Sequence, residues 1–153
     1  MVLKTSTKHT IGWKDKIDFI DFGFNNLPVK IDTGAKTSAF HCSSIELIKK
    51  NRKQYVKFVP LDNTYEEFEG KEFTLPFHHI RTIKNSFGQE QDRFVVLTNV
   101  RIFGEIQPIE ISLTNRSNLE FPVLLGRRFL KGRCIVDVAR SNLSYKSKIK
   151  GDL

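Results

Sequence analysis

Cysteine is scarce in this chain, with only Cys42 and Cys134 among 153 residues. The two show no C-x-x-C spacing, so the sequence excludes a disulfide framework, and we expect two free, buried thiols. Long apolar runs are also missing, because no segment approaches the roughly 20 apolar residues that cross a bilayer. The opening MVLKTSTKHT contains no apolar signal-peptide core. These absences predict a cytoplasmic protein with no membrane-embedded part.

Motifs for bound cofactors are absent as well. The chain has no G-x-x-x-x-G-K-[ST] or other glycine-rich phosphate loop, so any use of ATP would belong to a partner. Its four histidines, His9, His41, His78 and His79, form no H-E-x-x-H motif. His78 and His79 are neighbours in a predicted strand and are expected to face opposite sides, where they cannot share one ion. We therefore assign no cofactor and no metal ligand.

Positive charge is abundant, since the formal net charge is +8. This balance favours an anionic partner: nucleic acid, an acidic protein segment or an anionic surface. A basic run next to Tyr55 would support nucleic acid; it consists of Lys49, Lys50, Arg52 and Lys53. No RNA-binding signature with paired aromatic residues accompanies it, so nucleic-acid binding ranks last among the functions considered.

The apolar residues alternate with polar ones more often than they recur at helical spacing, which predicts short β-strands. Ile109, Ile111 and Leu113 show the pattern, and so do Val29 and Ile31. Further predicted strands are Lys16–Phe22, Tyr55–Val59, Glu72–Ile80, Arg93–Phe103 and Cys134–Val138. Helix is predicted only as a short segment in LGRRFLKGR, while SSIELIKKNRK is compatible with either helix or strand. We expect one domain over residues 1–145 and a basic, frayed tail over 146–153.

An acid closes one of the alternating runs, because Val29 and Ile31 are followed by Asp32, Thr33 and Gly34. Two interpretations are open. The first is a plain turn, in which the Asp32 and Thr33 side chains accept backbone N–H bonds and Gly34 adopts a positive φ. The second is a catalytic loop. A second motif far downstream, FPVLLGRRFL, places four apolar residues before a glycine and an arginine.

The pairing of DTGA with LLGR resembles the retropepsin-like aspartic proteases. Five blocks extend the resemblance over most of Ile11 to Leu143: GWKDKIDF, VKIDTGAKTSAFHC, RTIKNSFGQEQDR, IEISLTNRSNLEFPVLLGRRFL and IVDVARSNL. Their order is similar to that of the bacterial family named ATP-dependent zinc proteases, which is associated with RimK-type ATP-grasp glutamate ligases. The resemblance implies an all-β fold, a small closed barrel of the retropepsin-like type with at most one or two short helices. It also implies a functional link to such a ligase.

For the chemistry, the resemblance implies an aspartic peptidase, in which two carboxylates share one proton and activate water. This chain contains a single D-T-G, so a second Asp32 would come from another copy, and the resemblance predicts a homodimer. It assigns the Thr33 hydroxyl to linking the two loops, Gly34 to the turn and to substrate contact, and Ala35 to the cleft floor. Leu124, Leu125 and Gly126 would pack beneath Asp32. For Arg127, a structural role and a substrate contact both stay open.

The same resemblance predicts a glycine-bearing hairpin over the cleft. We assign it to Ser86-Phe87-Gly88-Gln89, with Glu69-Gly70 as the competing site. Viral relatives carry acidic residues after DTGA, whereas Lys36 and Thr37 follow here. A cation at Lys36 favours an acidic peptide or protein substrate, such as a glutamate-rich tail made by the ligase. The alternative is a non-catalytic binding module of protease fold that holds an acidic partner.

Overall fold

A computed structural model of the chain describes residues 8–84, 87–115 and 120–151. These residues form eleven strands, two short helices and one 3-10 turn. The strands are β1 (His9–Ile11), β2 (Lys14–Phe19), β3 (Phe24–Ile31), β4 (Ser38–Lys50), β5 (Lys53–Pro60), β6 (Phe73–Pro76), β7 (His79–Lys84), β8 (Glu90–Ile102), β9 (Glu105–Thr114), β10 (Val123–Leu125) and β11 (Cys134–Val136). The helices are α1 (Arg127–Leu130) and α2 (Leu143–Ile149), and the 3-10 turn is Ile20–Phe22.

Six of the strands pair into a ring. The order is β10-β3-β2-β8-β9-β4, and β4 pairs again with β10 to close it. Each of these six strands therefore has a partner on both sides, which protects their edges from edge-to-edge association. Strands β5 and β6 continue outward from β4, while β7 forms a hairpin with β8. The predicted all-β fold with at most two short helices is confirmed.

The core is formed by the ring strands together with β5, and the alternation read from the sequence explains it. Ile109, Ile111 and Leu113 are almost completely buried. The largest fully buried side chains include Phe19, Phe40 and Phe58, whose rings help to join the strands from the inside. Apolar residues at every second position thus place one face of each strand in the core. Both cysteines are free, with Cys42 buried and Cys134 partly exposed.

The segment SSIELIKKNRK, which the sequence left open between helix and strand, belongs to a β-hairpin. Strand β4 runs through it and pairs with β5 in register, so that Lys50 lies opposite Lys53. The turn between them places both Asn51 and Arg52 at positive φ, 52° and 65°. A two-residue turn with this backbone matches the twist of two paired strands. The segment is therefore a strand and not a helix.

The C-terminal segment does not fray after Tyr145 as the sequence predicted, because α2 continues to Ile149. The Lys148 ammonium donates to both carboxylate oxygens of Asp18 at 2.9 Å. At the start of the helix, Asp15 accepts bonds from the backbone N–H of Ser144 and of Tyr145. Both acids are buried on β2, so the helix binds partners that are distant in sequence. No helix in the described ranges has the length and apolar character needed to cross a membrane.

One polar contact beside the core gives a pH prediction. The buried His41 places its Nε2 at 2.6 Å from Asp62 Oδ2. The other oxygen of Asp62 accepts bonds from the Thr64 amide and hydroxyl. The Thr64 hydroxyl bond is the main cause that lowers the pKa of Asp62 below its usual value of 3.8.

An acid whose pKa is lower in the folded chain than in the unfolded chain stabilises the fold at pH values above its unfolded-state pKa. This contribution is lost as the pH falls through its folded-state pKa. We therefore expect Asp62→Asn to melt at a lower temperature than wild type near neutral pH. The difference should shrink below about pH 4. Thermal melts across this range check the prediction, and a gap between the two proteins that stays constant down to the most acidic pH would contradict it.

Candidate active site

Asp32 lies directly after β3, at the point where that strand ends beside β10. The two strands are parallel, with Val29 opposite Val123 and Ile31 opposite Leu125. The pairing continues one step further, because the Asp32 amide donates to the Leu125 carbonyl at 2.9 Å. The backbone of Asp32 is thus fixed to the core, while its side chain stays half-buried.

The residues after Asp32 form the turn that the sequence suggested, with one correction. The Gly34 amide donates to Asp32 Oδ1 at 3.0 Å, and the Ala35 amide donates to the Asp32 carbonyl at 3.2 Å. The expected positive φ of Gly34 is wrong, since this residue is not among the glycines of the described chain that have one. A Cβ at Gly34 would stand 3.2 Å from Asp32 Oδ1. Close approach to the carboxylate, rather than backbone conformation, is the reason that glycine fits here.

The LLGR motif supports the loop from below, as the resemblance implied. Leu125 is fully buried, and Leu124 is half-buried beneath the cleft. The Gly126 amide donates to the hydroxyl of Ser38 at 3.0 Å, so the two motifs are bonded to each other. Ser38 is a contact that the sequence did not assign, although it lies within DTGAKTSA.

Arg127 connects the two motifs through its side chain and its backbone. Its Nη1 donates to the carbonyl oxygens of Thr33 and Gly34, both at 3.0 Å. Its amide donates to the Ala35 carbonyl at 2.8 Å. Three bonds to consecutive residues of the loop give Arg127 a structural contact, and its exposed position leaves a substrate contact open.

A cleft of about 1000 Å³ opens above the loop, a volume typical of binding sites for small molecules. The DTGA loop lines one side and the β7–β8 hairpin the other. The lining residues on the loop side are Asp32, Gly34, Ala35, Lys36, Thr37, Ala39 and Leu124, and on the hairpin side Ile80, Arg81, Thr82, Lys84, Gln89, Glu90, Gln91 and Arg93.

The β7–β8 hairpin carries the segment that the sequence analysis assigned as the flap. Lys84 pairs with Glu90 just below its tip. At the tip, Phe87 is 88% exposed and Gly88 has φ 80°. Ser86 lies outside the described residues. The competing Gly70 lies between β5 and β6 and does not line the cleft. Of the described tip residues, Gln89 lines the cleft, whereas Phe87 and Gly88 do not.

Cations outnumber anions around the cleft. The positive side chains are Lys36, Arg81, Lys84 and Arg93, whereas the carboxylates are Asp32 and Glu90. The sequence pointed only to Lys36. The others lie on paired strands, with Arg81 directly opposite Arg93, and cross-strand neighbours present their side chains on the same face. The alternation of residues in IRTIK and EQDRF could have indicated these cations. The sequence alone, however, does not show that the two segments pair with each other.

Two histidines lie together at the base of this hairpin. His78 Nε2 is 3.5 Å from Glu110 Oε1, and His79 Nε2 is 3.6 Å from Glu110 Oε2. The prediction that strand geometry keeps these histidines apart is therefore wrong. The reason is that β7 begins at His79, so His78 precedes the strand and does not follow its alternation.

Two guanidinium groups share the same carboxylate. Arg81 Nη2 lies 3.3 Å from Glu110 Oε2, and Arg128 Nη2 lies 3.9 Å from Glu110 Oε1. Burial acts to raise the pKa of Glu110, but the Arg81 hydrogen bond and the charge of Arg128 outweigh it and hold that pKa below its usual range. Burial, followed by the charge of Arg81, lowers the pKa of His79. At neutral pH the cluster therefore contains an ionised Glu110 and a neutral His79.

The chain resembles both curated proteins and a solved structure. It is 30% identical over 132 residues to a "Probable alpha-L-glutamate ligase" of Desulfotalea psychrophila, covering 86% of this chain. It is 28% identical over 151 residues to a protein of the same name from Shewanella pealeana, covering 97% of this chain. The matches span only 28% and 32% of the lengths of those two relatives. Protein Lpg0085 of Legionella pneumophila, described as of unknown function (DUF785), superposes with a TM-score of 0.70 at 27% identity, covering 90% of this chain and 99% of that one.

A family model also matches most of the chain. It is described as RimB-like, retropepsin-like aspartic endopeptidase RimB, and it matches residues 10–147. That range contains the DTGA loop, the LLGR motif and the hairpin that faces them across the cleft. The motifs, the closed ring of strands and the family match agree, and the chain belongs to the RimB-like family of retropepsin-like proteins.

Proposed function

We propose that this chain is an aspartic peptidase that hydrolyses peptide bonds in acidic protein segments. The observation that carries the proposal is the position of Asp32, which is half-buried and lines a cleft of about 1000 Å³. The Leu125 carbonyl accepts from the Asp32 amide, and Gly126 and Arg127 donate to the residues that follow in the loop. The carboxylate itself accepts from the Gly34 amide, so it is positioned before substrate arrives. A pre-positioned acid of this kind can orient and activate a water molecule.

The mechanism needs a second acid. Of the described residues that line the cleft, Glu90 is the other carboxylate, and it lies on the hairpin rather than on a loop supported by the core. We assign the second acid to Asp32 of another copy, related by a two-fold axis. In such a dyad, the ionised carboxylate takes a proton from water while the protonated one donates a hydrogen bond to the scissile carbonyl.

Trp13 is an exposed aromatic residue whose backbone contacts the strand that leads into Asp32. The Trp13 carbonyl accepts a bond from the amide of Ile31, one position before Asp32, at 2.9 Å. The Trp13 side chain packs edge-on against Phe121 and remains 39% exposed. Aromatic residues are enriched at protein interfaces, so this position suits a dimer contact close to the dyad.

The charge of the cleft supports an acidic substrate. Lys36, Arg81 and Lys84 line it together with Arg93, and cations at a cleft raise the local concentration of anionic ligands. The curated relatives are named probable alpha-L-glutamate ligases, although this chain covers less than a third of the Desulfotalea protein. We assign as substrate the glutamate-rich tails that a ligase of this kind would make, and as functional partner the ligase itself.

Lys36→Glu tests this substrate assignment. Peptides with an oligoglutamate tail and neutral peptides of equal length are compared by their kcat/KM values. Reversal of one charge beside the cleft removes about 1 kcal/mol of attraction, so kcat/KM for the tailed peptide should fall roughly 5-fold or more. Neutral peptides should be cleaved at nearly unchanged rates.

Lys131→Glu is the matched control, because Lys131 is exposed and does not line the cleft. It changes the net charge by the same amount, and its kcat/KM values should resemble those of wild type. If both peptides are cleaved equally well by wild type and by both variants, the acidic substrate is discarded while the peptidase assignment stands.

A further inference from the structure

His79 and Glu110 meet because two strand pairings place them on one face of the sheet. His79 pairs with Val95 and Glu110 pairs with Leu97, on the two sides of β8. Val95 and Leu97 are two positions apart, so their side chains and those of their partners point to the same side. His78 joins them from just before β7, where its amide donates to the Val95 carbonyl at 3.2 Å.

The distances within this group are too long for good hydrogen bonds. They are 3.5 Å and 3.6 Å from the two histidine Nε2 atoms to the Glu110 carboxylate, whereas N–H···O bonds normally measure about 2.7–3.2 Å. The His79 Nε2 is buried and has no hydrogen-bond partner. A buried polar atom without a partner is costly, which points to a missing ligand.

A metal ion accounts for the same distances. One ligand atom from each of the three side chains lies within 4.8 Å of the other two. Zinc binds imidazole nitrogen and carboxylate oxygen at about 2.0–2.2 Å in tetrahedral geometry, which places neighbouring ligand atoms about 3.3–3.6 Å apart. The 3.5 Å distance from His78 ends at Oε1 of Glu110 and the 3.6 Å distance from His79 ends at Oε2, so both imidazoles face the carboxylate at about the separation of neighbouring zinc ligands.

We propose that His78, His79 and Glu110 form a binding site for a divalent transition metal of the zinc class. The three side chains occupy three tetrahedral positions, and the fourth is open to water. The ion connects the start of β7 to β9 and so fastens the base of the β7–β8 hairpin. This site is separate from the acid dyad, because none of the three residues lines the Asp32 cleft.

The neighbouring arginines lower the affinity for a metal ion but do not block its access to Glu110. Arg81 and Arg128 approach the Glu110 carboxylate at 3.3 Å and 3.9 Å, and a carboxylate offers about four lone-pair positions. The guanidinium groups can therefore stay on Glu110 while the metal takes another position. Their positive charges repel a dication, so the removal of one of them should tighten metal binding.

The test is a titration of the purified, metal-free full-length chain with Co²⁺, followed by displacement with Zn²⁺. We expect one Co²⁺ per chain and the intense visible absorption of a four-coordinate site, which Zn²⁺ abolishes. His78→Ala and His79→Ala should each weaken binding at least about 100-fold, because even supporting residues around a metal are worth about 10–100-fold. His78 is exposed, so its replacement leaves the fold intact, and circular dichroism verifies this.

Three further variants decide between this site and adventitious binding. His9→Ala removes a histidine that also lies beside an acid, Glu105 at 3.9 Å, and it should bind Co²⁺ like wild type. Arg128→Gln should bind several-fold more tightly. Asp32→Asn should leave the Co²⁺ spectrum unchanged, which separates this proposal from the peptidase assignment. Wild-type affinity no higher than that of His79→Ala, or equal affinity in all variants, overturns the metal site.

Discussion

Peptide hydrolysis is expected to fall by at least about 10³-fold when Asp32 is replaced by asparagine. The amide has nearly the same shape as the carboxylate but cannot accept a proton from water, so the fold survives while the chemistry stops. Peptide binding to the cleft should persist in this variant. The assay is kcat/KM on a glutamate-tailed peptide, together with a direct binding measurement on the same peptide.

Asp137→Asn is the matched control. Asp137 Oδ1 accepts the amide of Ala139 at 3.0 Å, the same two-residue turn that Asp32 makes with Gly34 at 3.0 Å. If Asp32 only caps its turn, the two substitutions should have equally small effects. Unchanged hydrolysis in Asp32→Asn would reject the aspartic peptidase. If wild type hydrolyses no peptide, and both proteins bind the peptide equally well, the chain is a binding module instead.

A mixture of subunits tests whether two copies share the dyad. Wild type and Asp32→Asn are mixed in equal amounts and allowed to exchange. If each active site needs Asp32 from both copies, random pairing leaves about one quarter of the sites with two intact acids. A site formed by one copy would retain about half of the activity instead, and that result would rule out the shared dyad.

Gly126→Ala is expected to destabilise the fold by about 3 kcal/mol, through crowding rather than through backbone strain. Gly126 has φ −94° and ψ 177°, an extended conformation that alanine adopts readily. The added Cβ, however, would stand 2.8 Å from the Thr37 carbonyl carbon and 2.9 Å from the Ala35 carbonyl oxygen. These are backbone atoms, and the amides of Arg127 and Arg128 hold that segment at 2.8 Å and 3.0 Å. Movement of the loop away from the new Cβ would break these hydrogen bonds.

The measurement is a thermal melt, in which the loss should appear as a decrease of roughly 6–12 °C in Tm. Gly132→Ala separates the two possible causes, because Gly132 has φ 78° and no atom within 4 Å of the Cβ position. Gly132→Ala should lower the free energy of unfolding by about 1 kcal/mol, because of the backbone conformation alone. Equal melting temperatures for the two variants would mean that the contact between Gly126 and the DTGA loop is not tight.

The strands and the main site motif could be predicted from the sequence because their signals are local. Alternation in Ile109, Ile111 and Leu113 depends on neighbouring positions only, and these residues are buried as expected. The order Asp32, Thr33, Gly34 and the downstream LLGR were also readable as linear motifs. The structure joins them through the bond between the Asp32 amide and the Leu125 carbonyl.

Other features failed because their partners are far away in sequence. The frayed tail was predicted from its lysines, yet Lys148 binds Asp18, which lies on β2. Glu110 appears in the sequence as an ordinary outward-facing residue of an alternating strand. Its contacts with His79 and Arg128 depend on strand order and on the position of α1, and neither can be predicted from the local sequence.

By itself, then, the sequence determined the strand pattern, the acid loop with its supporting motif, and the excess of positive charge, since each arises from adjacent residues or from simple sums. Only the tertiary structure decided which cations line the Asp32 cleft, what holds Arg127, and how His78 and His79 come to face one carboxylate. The cleft cations on the hairpin and the contact of His79 with Glu110 are products of strand register, whereas Arg127 and His78 reach their partners from outside the strands. In each case the fold makes neighbours of positions that are distant along the chain.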